Sequence, residues 1–202
     1  MKYFIDCGAN NSCSARIFRK LYDTDCEYHI FSFEIEPKFP KFFFRDIPNL
    51  TFIQKAVWIE DGTTKFYRDK KKMNAGGSIL FEKTSKNLNK KKPIIVETID
   101  FSKWIKEKFK KTDYILLKMD IEGAEYKVIA KMLAEGTFEY INKLLIEWHW
   151  KKISMTEEAH QQIATQVPVP VEKWMGLENA NEILGSDYIK KLKKKLKKSA
   201  FL

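Results

Sequence analysis

Two apolar segments, each ending in a turn of acidic and small residues, constrain the fold of this chain more than any other feature. One is the segment 3–10, with the sequence YFIDCGAN, and the other is the segment 114–125, with the sequence YILLKMDIEGAE. In open α/β sheets, ligands and catalytic groups collect outside the carboxyl ends of the parallel strands. The two turns therefore predict a binding site at one edge of a parallel sheet.

Strand-like and helix-like segments alternate through the first 150 residues. We expect strands at residues 3–5, 28–33, 50–58, 93–98, 114–119 and 141–148, and helices at residues 14–21, 101–109 and 124–134. This alternation is typical of an α/β fold with a mostly parallel sheet and helices on both faces. Residues 60–63 predict a hairpin turn into an antiparallel strand at residues 64–67.

Three other segments have weaker patterns. Residues 39–44 favour a helix or an irregular turn, and the lysine-rich residues 69–92 predict a surface insertion with a flexible loop at 75–78. Residues 166–171 alternate apolar residues with prolines, which indicates an edge strand or an extended segment. The sheet is therefore expected to be incomplete or rearranged at its C-terminal edge.

The length of 202 residues fits one domain, with a core at residues 1–150 and a packed extension at residues 151–202. The extension predicts a basic amphipathic helix from Asp187 onward. No apolar run approaches the roughly 20 residues of a membrane span, and no secretory signal is recognisable, so we expect a cytoplasmic location. The three cysteines predict free thiols because their number is odd and their spacing matches no common zinc pattern.

The formal net charge of +10 comes almost wholly from lysine, with 33 lysines and four arginines. Proteins that read nucleic acid rely on arginine for bidentate contacts to bases and phosphates. Nucleic acid is therefore a partner that the composition allows but does not favour.

The first turn has the backbone freedom that a ligand-binding loop needs. Gly8 lets the backbone approach a ligand closely, and Asn10 tolerates a left-handed conformation. A dinucleotide-binding fingerprint would have further glycines at the positions of Asn10 and Cys13, and neither is present. The pattern therefore disfavours NAD.

Two glutamates follow the second predicted strand. Glu34 and Glu36 lie roughly 20 to 30 residues after the first glycine, where an acid that binds ribose hydroxyls is expected. Glu36 is preferred because Pro37 ends the strand immediately after it, and Glu34 is the alternative on the same face. An exposed acidic strand end without a ligand would give the same pattern.

Four segments together resemble the FkbM family of S-adenosylmethionine-dependent methyltransferases. They are residues 4–10, 33–37, 117–125 and 146–149, in the family's order and spacing over about residues 3–150. Residues 56–57, 61–62 and Ser78 are similar to the family's middle section, whereas the family usually has a glycine in place of Ser12.

The resemblance implies a Rossmann-like class I methyltransferase fold with S-adenosylmethionine as the methyl donor. It also implies that the acceptor is a hydroxyl of a small molecule, a saccharide, a glycan or a natural product. The residues expected to hold the cofactor are Asp6, Cys7, Gly8, Ala9, Asn10, Glu34 or Glu36, and Ala56.

Four polar residues are expected to form the reaction centre. Asp120 and Glu122 alternate after one predicted strand, and Glu147 and His149 alternate after the next, so they converge if the strands are neighbours. A carboxylate or His149 would remove the acceptor proton, and all four residues are also candidate ligands for Mg²⁺ or Mn²⁺. Alternatively, Glu122 and Glu125 stabilise the start of the following helix, and His149 is structural.

Two other functions are weighed against this one. RNA or DNA methylation is suggested by the charge, but residues 118–123 lack the Asn/Asp-Pro-Pro-aromatic run of enzymes that methylate amino groups of nucleic acids. A catalytically idle binding module is disfavoured because Asp6, Gly8, Glu36 and Asp120 are all present.

Overall fold

The structure, a computed structural model, describes residues 1–37, 43–70, 76–174, 180–188, 190, 191 and 194. Its elements in chain order are β1 (Lys2–Cys7), α1 (Cys13–Leu21), β2 (His29–Phe33), β3 (Leu50–Ile53), β4 (Ala56–Trp58), β5 (Gly62–Phe66), β6 (Ile94–Asp100), α2 (Phe101–Lys108), β7 (Tyr114–Met119), α3 (Glu125–Ala134), β8 (Lys143–Ile146), α4 (Glu157–Ala164), β9 (Val171–Lys173) and α5 (Ala180–Leu184). Short 3₁₀ helices lie at Thr137–Tyr140 and Trp150–Ile153. Within the described residues, no helix is both long and apolar enough to cross a membrane.

Six strands form one parallel sheet in the order β3-β2-β1-β7-β8-β9. Cys7 at the end of β1 is level with Phe33 of β2 and with Met119 of β7, and Met119 is level with Ile146 of β8. The turns after these four strands therefore lie side by side at the carboxyl edge of the sheet. The predicted α/β fold with a mostly parallel sheet is confirmed.

Helices cover both faces of the sheet because β1 is apolar on both sides. On one face, Phe4 stacks on Phe18 of α1 with the ring centroids 3.9 Å apart. On the other face, Ile5 packs in one cluster with Ile105 of α2 and Ile129 of α3. All five side chains are fully buried, so the core fixes the strand ends that carry the site.

A second, three-stranded sheet has the order β4-β6-β5. The single strand predicted at residues 50–58 is wrong, because residues 54 and 55 separate β3 of the main sheet from β4 of the second sheet. The turn predicted at residues 60–63 leads into an antiparallel strand, β5, as expected. However, β5 pairs with β6 and not with the strand before the turn, so the two strands do not form a hairpin. Apolar residues occur on both sides of the break, so periodicity alone did not reveal that the chain changes sheets.

The lysine-rich segment 67–92, here called the insertion, packs against the turn after β7. Tyr67 and Ser78 exchange backbone hydrogen bonds of 2.8 and 3.1 Å, and Leu80 and Lys83 are buried. The predicted surface insertion at residues 69–92 is confirmed in part, because Phe81, Lys86 and Lys91 are exposed whereas Leu80 and Lys83 are buried. Lysine-rich segments are usually exposed, but Lys83 is held inside by an ion pair described below.

The chain after β8 adds an edge strand and two short helices. β9 has three exposed residues and pairs with β8 at the edge of the sheet. Only Val171 of the predicted segment 166–171 lies in this strand, and residues 166–170 precede it. Trp174 and Ala180 are buried in the same cluster as Phe18, and Tyr188 packs against that cluster. The domain boundary near residue 150 stays a prediction.

Three predicted segments fall partly outside the described residues, and one is the insertion, whose residues 71–75 include Ala75 of the predicted flexible loop. Residues 186–188, 190, 191 and 194 are helical, whereas Leu192 and Leu196 of the predicted basic helix are not described. Of the segment 39–44, only Phe43 and Phe44 are described, and both are buried.

Candidate active site

A cavity of about 390 Å³ opens at the carboxyl edge of the main sheet. The turns after β1, β2, β7 and β8 form its wall, together with residues of β4 and the insertion. Eight predicted site residues line it, namely Gly8, Ala9, Asn10, Glu34, Ala56, Asp120, Glu122 and Glu147. Four others are buried and do not line the described wall, namely Asp6, Cys7, Glu36 and His149.

The turn after β1 passes so close to its neighbours that only glycine fits at its first position. Gly8 has a φ of +81°, and a Cβ added there would lie 1.9 Å from the carbonyl oxygen of Asp120. The backbone N–H groups of Gly8 and Ala9 both donate to the carbonyl oxygen of Phe33, at 3.1 and 2.9 Å. Ser12 has a φ of +71°, the left-handed conformation that glycine usually supplies, so the loop keeps this backbone shape without the family's glycine.

Asp6 and Cys7 hold this turn from behind. The Oδ2 atom of Asp6 accepts a hydrogen bond of 2.5 Å from Ser14 Oγ, and its Oδ1 atom lies 3.2 Å from Lys118 Nζ. The side chain of Cys7 is in the core, where burial raises the thiol pKa well above its ordinary value. Both residues thus fix the shape of the cavity without forming its surface.

Glu34 and Glu36 have different surroundings. Glu34 lines the cavity, and its carboxylate accepts backbone N–H groups of Asn10 at 2.7 Å and of Ile35 and Glu36 at 2.8 Å. Burial raises the pKa of Glu34 to about 7, although these N–H groups oppose the shift. Glu36 is 1% exposed and accepts two hydrogen bonds from the Arg68 guanidinium, at 2.8 and 2.9 Å.

Lys118 joins the first turn to Asp120, and it was not among the site residues predicted from the sequence. Its ammonium group is buried, donates to the carbonyl oxygen of Gly8 at 2.8 Å, and lies 3.6 Å from Asp120 Oδ2. Burial disfavours the charge, but Asp6 and Asp120 outweigh it and raise the pKa of Lys118. A lysine inside an apolar strand, followed by an acid, was the signal that could have revealed this ion pair.

Three carboxylates lie at the end of the cavity formed by β7 and β8. Burial, reinforced by Glu147 and opposed by Lys118, raises the pKa of Asp120 to about 6. Glu122 Oε2 contacts Lys83 Nζ at 2.5 Å and Lys152 Nζ at 3.2 Å. Burial opposes ionisation of Glu122, but these lysines and His149 hold its pKa below the ordinary value.

His149 lies behind these carboxylates in a pair with Glu125. The Oε1 atom of Glu125 is 2.5 Å from His149 Nδ1 and accepts the backbone N–H of His149 at 3.1 Å. Burial acts to lower the pKa of His149, but Glu125 and Glu147 raise it to about 10. Glu125 also accepts the N–H of Gly123 at 2.7 Å, so it satisfies a donor at the start of α3 as expected.

Trp150 and Trp174, two of the three tryptophans after β8, have different surroundings. Trp150 stacks on His160 with ring centroids 5.6 Å apart and an interplanar angle of 5°, and His160 Nδ1 is 2.9 Å from the Tyr126 hydroxyl. Trp174 is 6% exposed and lines the cavity, 5.8 Å from Lys118 Nζ.

The arrangement combines a close-approach turn, an acid after the second strand and a group of proton-accepting carboxylates. The family model for the methyltransferase FkbM domain matches residues 6–169, which include all of these parts. No curated protein and no solved structure matches the chain. The chain therefore belongs to the FkbM methyltransferase family.

Proposed function

We propose that the chain is an S-adenosylmethionine-dependent O-methyltransferase whose acceptor is a hydroxyl of a saccharide, a glycan or a natural product. Family membership gives the reaction class. The rest of the proposal is supported by one observation. Gly8 and Glu34 line the same cavity as the carboxylates of Asp120, Glu122 and Glu147. Direct transfer requires the donor and the acceptor oxygen to share one enclosed space.

The first two turns suit the cofactor. Gly8, Ala9 and Asn10 form one wall of the cavity, where the missing side chain of Gly8 allows a ligand to approach the backbone. Glu34 offers a carboxylate to the two ribose hydroxyls. We prefer Glu34 to Glu36 because Glu34 lines the cavity, whereas Glu36 does not line it and is bound by the Arg68 guanidinium.

The remaining task is to hold the acceptor and to remove its proton. Bound S-adenosylmethionine supplies a methyl group whose C–S bond breaks, leaving the electron pair on sulfur, as the acceptor oxygen forms the new C–O bond. Asp120 and Glu147 lie on the cavity wall, and either carboxylate can take the hydroxyl proton and pass it to water. Glu122 is less suited as a base because Lys83 and Lys152 bind it.

Cofactor binding by the purified full-length chain is the first test. We expect S-adenosylmethionine to bind with a stoichiometry of one in calorimetric titration and NAD not to bind. Methyl transfer is then measured with radiolabelled cofactor against saccharides, small-molecule alcohols and RNA. Binding of NAD without binding of S-adenosylmethionine would overturn the proposal. Labelling of RNA alone would mean that the acceptor is RNA and not a saccharide, a glycan or a natural product.

A further inference from the structure

Asp120, Glu122 and His149 form a compact group. Methyl transfer with one carboxylate as the base would not require all three residues. One ligand atom from each residue lies within 4.8 Å of the others. The Nε2 atom of His149 is 3.8 Å from Asp120 Oδ1 and 3.8 Å from Glu122 Oε2. The group therefore surrounds a small volume at the cavity wall.

The imidazole of His149 is aimed into this group. His149 is 2% exposed, and its Nε2 atom makes no hydrogen bond within the described residues, although Glu147 Oε1 lies 3.3 Å away. A buried polar atom that makes no hydrogen bond costs free energy, and the atoms in ionic contact with Nε2 are carboxylate oxygens at 3.3–3.8 Å, so its position needs an explanation beyond packing.

Glu125 holds the opposite side of the same ring. It is fully buried, and its Oε1 atom lies 2.5 Å from His149 Nδ1. Metal-binding histidines typically use one ring nitrogen for the metal while a carboxylate orients the ring through the other. Glu125 is thus a positioning residue that directs Nε2 at Asp120 and Glu122.

We propose that Asp120, Glu122 and His149 Nε2 bind one divalent cation, Mg²⁺ or Mn²⁺. Carboxylate oxygens are the preferred ligands of both ions, and an imidazole favours Mn²⁺. Metal–ligand distances of about 2.1 Å place adjacent ligand atoms about 3 Å apart, so the three atoms must close by roughly 1 Å. A cation there would acidify an acceptor hydroxyl, a role that rests on the proposed function.

Two lysines compete with the cation for Glu122. Lys83 is buried, but Lys152 is 42% exposed and contacts Glu122 Oε2 at 3.2 Å. Because Lys152 is a surface residue, replacing it with methionine removes one competing charge and leaves the core intact. The site therefore predicts a variant that binds the cation more tightly than the wild type.

The test measures Mn²⁺ binding to the chelator-treated full chain without cofactor or acceptor, by the electron paramagnetic resonance signal of free Mn²⁺. We expect one Mn²⁺ per chain, at least about tenfold weaker binding in Asp120→Asn and His149→Gln, and severalfold tighter binding in Lys152→Met. Lys151→Met and His29→Ala are the matched controls and should bind as the wild type does. Pulsed resonance should detect nitrogen coupling to Mn²⁺, which His149→Gln abolishes.

The outcomes separate this site from the proposed function. No Mn²⁺ binding at millimolar concentration by the folded wild type, or equal binding in Asp120→Asn, overturns the site. Unchanged binding in Lys152→Met overturns the assignment of Glu122 as a ligand. Methyl transfer that persists in EDTA without Mn²⁺ binding leaves the proposed function standing and removes the cation.

Discussion

Glu34 Oε1 accepts the backbone N–H of Glu36 at 2.8 Å, and the two buried carboxylates differ in the groups that bind them and in their access to the cavity. Glu34 faces the cavity and is bound by backbone N–H groups. Glu36 is turned away and is held by the Arg68 guanidinium. A carboxylate on the cavity wall can still accept hydrogen bonds from ligand hydroxyls. A carboxylate bound by a guanidinium has few lone pairs available for a ligand.

Glu34→Gln should weaken cofactor binding and stabilise the fold. We expect S-adenosylmethionine affinity to fall by about 10- to 100-fold, because hydrogen bonds to a charged acceptor contribute roughly 1–3 kcal/mol. At pH 8 the free energy of unfolding should rise by about 1–3 kcal/mol, since a buried carboxylate with a raised pKa is removed. Calorimetric titration and thermal unfolding measure the two effects.

Glu36→Gln is the matched control, two residues away. It should lower the free energy of unfolding because Arg68 loses its charged partner, and should change cofactor affinity less than about threefold. If Glu36→Gln lost cofactor binding and Glu34→Gln kept it, the ribose contact would belong to Glu36.

The raised pKa of Glu34 predicts that cofactor affinity depends on pH. Burial brings the pKa to about 7, so the carboxylate is lost as the pH falls below 7, and affinity should drop by about tenfold between pH 8 and 6. This dependence should be absent in Glu34→Gln. The stability effect has the opposite sign, because the folded state holds the proton more tightly than the unfolded chain. The contribution of protonated Glu34 to the free energy of unfolding is fully present below about pH 4.5 and is lost as the pH rises to about 7.

Gly8→Ala should disrupt the fold as well as the turn proposed to bind the cofactor. Its Cβ would lie 1.9 Å from a backbone oxygen of Asp120, so β1 and β7 would have to separate. Gly136→Ala is the control, since its φ is also positive, at +66°, but its Cβ would meet only the Glu139 side chain at 3.4 Å. We expect the control to cost about 1–2 kcal/mol and Gly8→Ala several kcal/mol, as measured by denaturant unfolding. Equal costs would mean that the turn relaxes around a side chain.

Asp120→Asn and Glu147→Gln separate binding from chemistry. A general base typically contributes about 10²–10⁴-fold, so the variant that lacks the base should lose at least about 100-fold in turnover. Cofactor affinity should stay within about threefold of the wild type, because neither substitution removes a hydrogen bond of Glu34, and Asp120 approaches Gly8 through its backbone oxygen. Full turnover in both variants would place the base elsewhere.

Truncation after Gly185 tests the basic tail. Cofactor affinity should be unchanged, because the cavity is lined by residues up to Trp174. Stability should fall slightly, since the Tyr188 ring, 5.4 Å from the Arg16 guanidinium, is lost from the core edge. Binding of the full chain to heparin should be weak and should disappear as salt rises. High-salt binding to one RNA that truncation abolishes would instead favour nucleic-acid methylation.

The sequence predicted the main sheet and the converging strand ends well, because buried parallel strands leave strong local signals. The runs at 3–5 and 114–119 are apolar on both faces, and their acid-and-glycine turns mark the carboxyl edge. The neighbouring positions of β7 and β8 bring Asp120 and His149 together as expected.

The rest depended on pairings that no local pattern records. Lys83 lies in a lysine-rich segment typical of the surface, and only its distant partner Glu122 makes it an internal cation. The apolar strand around Lys118 indicates burial, but its partner Asp6 is 112 residues away in the sequence. Glu125 has the pattern of a helix-start residue and is also the partner of His149 across 24 residues. Such long-range ion pairs are set by the packed fold.

The central position of β1 has a consequence for synthesis of the chain. Its pairs with β7 bridge 112 residues, as between Cys7 and Met119. At a translation rate of about 5–20 residues per second, β1 waits roughly 5–20 s for β7 to be made. During that time the nascent chain carries an apolar strand with one unpaired edge, a template for pairing with other chains. A growing polypeptide of this topology is therefore most prone to aggregation before residue 119 has left the ribosome.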